Sequence, residues 1–301
     1  NEAHRLRMLM DEIFGEDNFI AQLVWEKGRK NDAKLFSVGH EYMLCYAKSM
    51  ETLRSLKTVW REPKPGAKEI WEEYLRLRAL HEEDDSQIEA GLQTWYQALP
   101  ARHPSKALSR YKHVDRYGPW RDRDISWPGG NGPRYKVIHP ETGKPCKVPE
   151  RGWGFATSEK MEEQIELGLV VFRADHTQPP FRKAHLRPVE AELEEDEVAT
   201  LDGEEDDSDA AVGMQVMPSV IYKQSQVAVR YLRSLMNGKV FDNPKDHEVI
   251  ARIIRYCTNA GSGDIILDSF AGSGTTGHAV LALNAEDGGN RRFILVEQED
   301  Y

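Results

Sequence analysis

The spacing of hydrophobic residues predicts alternating helices and strands at both ends of the chain. In the first part, apolar residues at helical spacing predict a helix over 3–13, and apolar runs at 19–25 and 41–47 predict two strands. In the last part, the same criteria predict helices over 226–236 and 247–257. Helices and strands that alternate in this way are typical of α/β folds.

The middle of the chain follows a different pattern, rich in charge, glycine, proline and aromatic residues. It predicts two amphipathic helices over 69–80 and 88–99, followed by short strands and turns over 117–155. A further short helix is predicted over 161–167 and a brief strand over 170–172. Thr157 or Ser158 is the expected N-cap of the short helix. We therefore divide the chain into three parts: residues 1–58, 59–218 and 219–301.

Acidic residues are concentrated in one segment, residues 190–209. The 301-residue chain has a net charge of −10, and this segment alone holds twelve Asp and Glu but no Lys or Arg. The rest has 38 acidic residues against 40 Lys and Arg, so its charge allows a nucleic-acid partner. We expect a solvated loop at 190–209. A strip that mimics DNA and screens a binding groove is the alternative.

Cysteine spacing and hydropathy indicate the compartment. Cys45, Cys146 and Cys257 are far apart in the sequence, which predicts neither a disulfide framework nor a zinc site and suits a reducing cytoplasm. No metal is expected. The chain has no apolar run near the ~20 residues that a membrane-spanning helix needs, and no signal segment opens it.

The most informative segment covers residues 265–283. Its apolar start predicts a strand that ends at Asp268, a glycine-rich turn follows, and a helix is predicted over 276–283. The turn consists of Ser269-Phe270-Ala271-Gly272-Ser273-Gly274-Thr275. Such a strand–turn–helix unit opens nucleotide-binding sheets, where free backbone N–H groups at the start of the helix meet the ligand.

The glycine spacing fits two classes of ligand. Gly272, Gly274 and Gly277 satisfy the dinucleotide-binding fingerprint, which would indicate a nicotinamide-dependent oxidoreductase. However, Asp268 precedes the turn, and a carboxylate there would repel a pyrophosphate. S-adenosylmethionine carries a sulfonium and an ammonium group, so the acid favours this cofactor. An ordinary β–turn–α connection without a ligand is the third interpretation.

A second acidic residue follows the next predicted strand. Residues 292–296 form an apolar run that ends at Glu297, and residues 284–290 are predicted as a polar turn. An acid at the end of the second strand is placed to accept hydrogen bonds from ribose hydroxyls. Alternatively, Glu297 is a solvated charge at the end of a strand.

Four segments carry a family resemblance when they are taken in order. They are residues 9–20 with Asp11-Glu12-Ile13-Phe14-Gly15, residues 36–48 with Val38-Gly39-His40-Glu41-Tyr42, residues 267–280 with the glycine turn, and residues 290–297. Together they resemble DNA amino-methyltransferases of the β arrangement, and most closely the modification subunits of type III restriction systems. The resemblance covers both ends of the chain and, loosely, its middle.

The resemblance implies an α/β fold with a Rossmann-like sheet of an S-adenosylmethionine-dependent methyltransferase and an inserted mixed α+β target-recognition domain. Residues 1–58 would belong to the catalytic domain, 59–218 to the recognition domain with its acidic loop at 190–209, and 219–301 to the cofactor-binding part. The implied cofactor contacts are Asp268, Phe270, Ala271, Gly272, Ser273, Gly274, Thr275, Glu297 and Lys245.

Lys245 is the candidate partner of the cofactor carboxylate. It lies in the segment Phe241-Asp242-Asn243-Pro244-Lys245, which relatives place beside the methionine part of the cofactor. Asp246 stands where the family pattern has a further proline, which leaves the shape of the turn open. An exposed lysine at the start of a helix is the alternative interpretation.

The middle of the chain resembles the region that recognises the target DNA. Basic and aromatic residues interleave there, and such residues hold phosphates and stack on bases. The candidate DNA contacts are Arg121, Arg123, Arg134, Lys136 and Trp120. A small aromatic core with solvated basic residues is the alternative.

The catalytic motif of the family, Asp-Pro-Pro-Tyr, is absent from the chain, which does not begin with methionine. The catalytic residues are therefore unknown, and we expect them upstream of Asn1. Gln178-Pro179-Pro180-Phe181 has the shape of this motif. It follows the recognition-like region, and we interpret the basic pair Arg182-Lys183 after it as a surface loop, so we expect no catalytic role for this segment.

The expected function is site-specific transfer of a methyl group from S-adenosylmethionine to N6 of adenine in DNA, as part of a restriction-modification system. We expect little activity from this chain alone. Cytosine N4 methylation and a non-catalytic DNA-recognition protein with a vestigial cofactor site are the alternatives. The implied partners are double-stranded DNA and, as further options, a second copy of the chain and a helicase–nuclease restriction subunit. The implied location is the cytoplasm of a prokaryote or a phage-infected cell, without a membrane partner.

Overall fold

The computed structural model describes residues 2–28, 34–189 and 212–298. The chain divides into two compact units: Asn1–Glu62 together with Val216–Tyr301, and Pro63–Gln215. We refer to them as the discontinuous unit and the central unit. The acidic loop that we expect at 190–209 lies outside the described residues.

Helices and strands are both present in each unit, so the fold is mixed α/β. The helices are α1 (Ala3–Phe14), α2 (Met50–Ser55), α3 (Ala67–His81), α4 (Asp85–Ala98), α5 (Ser158–Glu166), α6 (Ser225–Leu235), α7 (His247–Cys257) and α8 (Thr275–Asp287). The strands are β1 (Phe19–Glu26), β2 (His40–Tyr46), β3 (Glu62–Pro63), β4 (His113–Asp115), β5 (Gly118–Arg123), β6 (Val170–Val171), β7 (Phe181–His185), β8 (Met214–Gln215), β9 (Val220–Tyr222), β10 (Ile265–Asp268) and β11 (Arg292–Leu295). Short 3₁₀ helices cover Glu16–Asn18 and Pro104–Leu108.

In the discontinuous unit, two groups of strands organise the backbone. Strand β1 pairs antiparallel with β2 and parallel with β9. Strand β10 pairs in parallel with β11, in a register that places Ile265 beside Arg292 and Asp268 beside Leu295. Because parallel strands end at the same edge of a sheet, this register brings the residues that follow β10 and β11 close together.

The apolar face of α8 anchors the turn that precedes it. Ala279, Val280 and Leu283 are buried and pack with Ile254 of α7. Burial of each large aliphatic side chain contributes about 1.5–3 kcal/mol to the hydrophobic term. A second cluster joins Trp25 of β1 to Val249 of α7. The helices that flank the candidate site are therefore held by the core of this unit.

The central unit contains two apolar clusters and a four-stranded sheet in the order β4-β5-β7-β6. One cluster lies mainly between α3 and α4, and Ile70, Ile88 and Leu92 are fully covered. The other surrounds Trp153, whose indole N–H donates to the Tyr135 carbonyl at 2.8 Å. The glycine- and aromatic-rich stretch thus forms a small core, because its Trp and Tyr side chains bury one another.

The elements predicted from hydrophobic spacing are confirmed to within a few residues, including Thr157 as the N-cap of α5. One predicted boundary is wrong. Helix α8 continues to Asp287, so only residues 288–290 of the predicted turn lie beyond it. The polar residues remain helical because Asn284 donates to the Arg291 carbonyl at 2.8 Å and Asp287 pairs with the Arg291 guanidinium at 2.9 Å.

The basic pair at 182–183 is also misjudged by sequence reasoning, which places it in a surface loop. Both residues lie in β7, where Arg182 pairs with Arg123 and Lys183 with Asp122 of β5. The Lys183 side chain is 15% exposed, and its ammonium contacts the Asp115 carboxylate at 2.6 Å. The charge of Lys183 is therefore compensated inside the unit.

No helix in the described part of the chain combines the length and apolarity needed to cross a lipid bilayer.

Candidate functional site

The glycine turn connects β10 to α8 and is fixed by backbone hydrogen bonds. The Val296 N–H donates to the Asp268 carbonyl at 2.8 Å, and the Ala271 N–H donates back to the Val296 carbonyl at 3.0 Å. The turn is thereby attached to the end of the neighbouring strand β11. Its position follows from the parallel register of the two strands.

The Asp268 carboxylate lies at the start of this turn. One oxygen accepts from the Phe270 N–H at 3.2 Å and the other from the Thr276 hydroxyl at 2.6 Å. These bonds hold the carboxylate across the mouth of the turn. Sequence reasoning did not single out Thr276 as a partner of this acid.

Gly272 is required by the shape of the turn. Its φ of +52° lies in the left-handed region, and a Cβ atom here would stand 3.2 Å from the Phe241 ring. Gly274 caps α8 with φ at +71°. The backbone of the turn is therefore open to a ligand in a way that a larger residue would prevent.

Glu297 closes the opposite side of the turn. Its carboxylate accepts a hydrogen bond from the Gly272 N–H and another from the Gln298 N–H at 3.2 Å. Phe270 is 84% exposed, so its ring is free to cover an apolar or aromatic ligand. Asp268, Phe270, Gly272 and Glu297 thus lie together around one turn.

The remaining predicted cofactor residues lie along the same turn and its neighbouring segment. Ser273 and Thr275 share a hydrogen bond between their hydroxyls at 2.8 Å, and the Thr275 hydroxyl donates to the Lys245 carbonyl at 3.4 Å. Ala271 contributes its backbone to the turn, because the Gly274 N–H donates to its carbonyl at 2.8 Å. Residues 241–245 therefore lie beside the glycine turn.

The Lys245 ammonium is bound by a carboxylate from another part of the unit. It contacts the Glu41 Oε2 atom at 2.6 Å, and Lys27 contacts the Glu41 Oε1 atom at 2.5 Å. Burial lowers the pKa of Lys27 despite its hydrogen bond to Glu41, and the positive charge of Lys245 lowers it further. Burial favours a raised pKa for Glu41, but the hydrogen bonds from Lys245 and Lys27 lower it. One carboxylate thus serves two lysines.

A cleft of about 510 Å³ opens beside these lysines. Its walls include Lys27, Glu41, Arg230, Arg233 and Asn243. Because Glu41 is already shared by two lysines, the cleft has an excess of positive charge and suits an anionic group such as a carboxylate or a phosphate. Sequence reasoning missed the two arginines, since only the packing of α6 brings them to this place.

Asp246 determines how the chain turns into helix α7. It is 3% exposed, and its Oδ1 atom accepts from the Glu248 and Val249 N–H groups at 3.1 and 3.2 Å. Asp246 is therefore the N-cap of α7, where an acid satisfies free backbone donors and complements the helix dipole. Asp246, at which the sequence departs from the family pattern, thus stabilises the start of α7.

Three stacked rings join α6, α7 and α8 next to the turn. The His247 and His278 rings are parallel at 4.4 Å, and Tyr231 stacks on His247 at 4.5 Å. Burial, followed by the charge of His247, lowers the pKa of His278. This stack was not predictable from the sequence, because its members come from three separate helices.

The candidate DNA contacts in the central unit differ in accessibility. Arg123, Arg134 and Lys136 are exposed, while Arg121 is partly covered and donates to the Asp122 carbonyl at 3.1 Å. Trp120 is only 9% exposed, with His113 stacked on its ring at 4.6 Å and the Lys183 ammonium at 4.9 Å. The Trp120 ring is thus occupied by its own unit and is not free for a base.

The described residues include no group of three or more His, Cys, Asp or Glu placed to hold a metal ion. The site therefore rests on the turn, its two carboxylates and the adjacent basic cleft. A glycine turn between a strand and a helix of an α/β unit is typical of nucleotide-binding proteins. The chain belongs to the DNA methylase family, whose sequence model matches residues 1–301.

Curated relatives agree with this assignment. The chain is 31% identical to the type III restriction-modification enzyme EcoP15I Mod subunit of Escherichia coli, over 100% of this chain and 42% of the relative. It is 28% identical to the StyLTI Mod subunit of Salmonella typhimurium, over 98% of this chain and 36% of the relative. It is 27% identical to the type II methyltransferase M.KpnI of Klebsiella pneumoniae, over 98% of this chain and 60% of the relative. The chain thus spans less than two thirds of the length of these relatives.

Proposed function

We propose that this chain is the cofactor-binding and DNA-recognition part of a site-specific DNA methyltransferase of a restriction-modification system. The methyl donor in this proposal is S-adenosylmethionine, and the acceptor is N6 of adenine in double-stranded DNA. The observation that carries the proposal is the pair of carboxylates, Asp268 and Glu297, that flank the turn at Gly272. Family membership and the Mod-subunit relatives support it.

The residues of the turn fit the proposed cofactor. Two carboxylates suit a ligand with ammonium and hydroxyl groups, and the left-handed φ of Gly272 lets the main chain approach a ligand closely. The exposed Phe270 ring offers a flat apolar surface for an adenine. A pyrophosphate at the turn would meet the Asp268 charge, which argues against a dinucleotide.

Each candidate residue then has a separate task. Glu297 would accept hydrogen bonds from the ribose hydroxyls, and Asp268 would face the cationic end of the cofactor. Lys245 would release Glu41 and bind the cofactor carboxylate instead. Arg230 and Arg233 of the adjacent cleft would supply further positive charge. Ala271, Ser273, Gly274 and Thr275 would supply the backbone of the pocket and the start of α8.

S-adenosylmethionine supplies the electrophilic methyl group when it is bound. The role of the chain in the reaction is to hold the donor at a defined position, because alignment with the attacking amine contributes much of the rate enhancement. The target base must leave the duplex, at a cost of a few kcal/mol. The sequence contains no Asp-Pro-Pro-Tyr motif, so we expect these 301 residues alone to show little or no methylation. Cytosine N4 stays open as the target, because both acceptors are exocyclic amines.

The finer architecture belongs to the same proposal. We propose that the discontinuous unit is a Rossmann-like methyltransferase sheet and that the central unit is an inserted target-recognition domain. Arg123, Arg134 and Lys136 are exposed on that unit and are the candidates for DNA contact. A second copy of the chain and a restriction subunit are further proposed partners, and the prokaryotic cytoplasm is the proposed location.

Isothermal titration calorimetry tests the cofactor proposal. The 301-residue chain should bind S-adenosylmethionine saturably and NAD not at all. Asp268→Ala should weaken binding at least tenfold, because it removes a charge-assisted contact. Asp17→Ala, an exposed acid distant in sequence, is the matched control and should leave the affinity unchanged. Binding of NAD alone would overturn the proposal. Equal affinity of Asp268→Ala and Asp17→Ala for S-adenosylmethionine would show that Asp268 does not contact the cofactor.

A further inference from the structure

The central unit contains a cleft with the chemistry of a base-reading surface. It has a volume of about 340 Å³ and lies at the end of β5, the segment after β6 and the start of β7. We call it the β5–β7 cleft; it is lined by Asp122, Arg123, Asp124, Arg173, Gln178 and Phe181. Of these residues, only Arg123 stood among the DNA candidates from the sequence.

The backbone around the β5–β7 cleft is held in place by the sheet. The register that pairs Asp122 with Lys183 and Arg123 with Arg182 fixes the end of β5 against β7. Pro179 and Pro180 restrict the segment that leads into β7, and Pro180 is buried. Rigid support of this kind lets a small set of side chains hold a fixed geometry toward a partner.

The side chains of the cleft offer both donors and acceptors. Arg123 and Arg173 are exposed, and neither forms an ion pair within residues 2–28, 34–189 and 212–298. Gln178 provides an amide that can donate and accept, and Asp122 provides an exposed carboxylate. Arg173 lies over the Phe181 ring, with its guanidinium carbon 4.5 Å from the ring centroid, which restricts its orientation.

The mixed charge of the cleft distinguishes base contacts from phosphate contacts. A surface that binds the DNA backbone presents cations and neutral donors, and the exposed Asp122 carboxylate would repel a phosphate placed in the cleft. Asp124 adds little to this repulsion, because it is paired with Arg151 at 2.7 Å. Base edges in the major groove present acceptors on guanine and amino donors on cytosine and adenine. Arginine forks match guanine, an amide matches adenine, and a carboxylate matches the cytosine amino group.

We propose that the β5–β7 cleft reads base edges of the recognition sequence in the major groove, with Arg123 and Arg173 as the guanine-reading residues. This inference rests on the proposed function, since it requires that the chain binds DNA. It also assigns a role to Gln178-Pro179-Pro180-Phe181. That segment is a wall of the reading surface, and one face of the Phe181 ring is covered by Arg173 and is not free to stack on a flipped base.

A selection from a library of randomised duplexes tests this inference, using the full chain and its Arg123→Lys and Arg173→Lys variants. Lysine keeps the positive charge but loses the planar fork that contacts guanine through two hydrogen bonds. Each variant should lose its preference at one guanine position by about tenfold or more, while its overall affinity for the library changes far less. Arg102→Lys, an exposed arginine outside the cleft, is the matched control and should return the same preferred sequence as the parent chain.

The salt dependence of binding separates the outcomes. If Arg123→Ala weakens binding equally for all sequences and reduces the salt slope by about one, the residue contacts phosphate and the inference is overturned. Unchanged preference in both lysine variants also overturns it. If the parent chain binds no DNA, the proposed recognition function fails together with this inference. If it binds without any sequence preference, only the base-reading role of the cleft fails.

Discussion

The Glu297 carboxylate accepts a hydrogen bond from the Gly272 backbone N–H, although 25 residues separate the two in the sequence. This bond links the residue after β11 to the turn after β10. It exists because the two strands run in parallel and end at the same edge. The acid and the glycine turn therefore form one site, in which a ligand that binds Glu297 also meets the turn.

Glu297→Gln should weaken binding of S-adenosylmethionine about tenfold. Glutamine keeps the shape of the side chain and one acceptor oxygen but loses the charge, and hydrogen bonds to charged groups contribute about 1.5–3 kcal/mol. Calorimetric titration measures the change. Glu12→Gln, at an exposed position of α1, is the control and should bind like the parent chain. An unchanged affinity of Glu297→Gln would show that Glu297 does not bind the ribose of the cofactor.

Gly272→Ala should both destabilise the protein and abolish cofactor binding. A φ of +52° costs a residue with a Cβ atom about 1–2 kcal/mol, and the added methyl group would press against Phe241 at 3.2 Å. Gly288→Ala is a matched control, because Gly288 has a φ of +67° and open space around its Cβ position. It should lose similar stability in urea unfolding yet retain cofactor binding. Equal cofactor affinity in both variants would contradict the assigned role of the turn.

Asp246→Ala should lower the free energy of unfolding by about 1 kcal/mol, the usual cost of losing an N-cap. The variant leaves the Glu248 and Val249 N–H groups without their side-chain acceptor. Asp246→Asn keeps an acceptor oxygen and should recover most of the loss. Urea unfolding monitored by circular dichroism compares the two. If Asp246→Ala and Asp246→Asn have the same free energy of unfolding, the acceptor oxygen of the cap contributes nothing to stability.

Acid should destabilise the central unit through Asp115. Burial favours a raised pKa for Asp115, but hydrogen bonds from His185 and Lys183 outweigh it and lower the pKa to about 2. The folded state therefore binds protons less readily than the unfolded state. The resulting stabilisation, about 2 kcal/mol, is present above pH ~4 and is lost as the pH falls toward 2.

Unfolding of Asp115→Asn measured between pH 2 and pH 7 checks this expectation. The variant should be less stable than the parent chain at pH 7, and its stability should fall less steeply over the range from pH ~5 to pH ~2. Asp122→Asn, at an exposed carboxyl on the neighbouring strand, is the control and should keep the parent slope. A parent-like slope in Asp115→Asn would mean that other groups govern the acid transition.

Helices and strands that depend on neighbouring residues follow from the sequence, whereas contacts between distant side chains do not. Hydrophobic spacing predicts α7 and β10 with the bounds that the structure shows, because each element follows from neighbours a few residues apart. The role of Trp120 in packing was not predictable in the same way. An aromatic residue among glycines can be exposed or buried, and only the positions of His113 and Lys183 decide between the two.

The sequence by itself determined most of the helices, the strands β1, β2, β10 and β11, the acid–glycine turn from Asp268 to Gly274 and, through these, membership of the DNA methylase family. Local spacing and backbone preferences contain this information. The tertiary structure decided which distant groups meet: Glu41 with Lys245, Glu297 with Gly272, and Arg173 with Phe181. These contacts depend on strand order and helix packing, which bring together residues whose separation in the sequence carries no periodic signal.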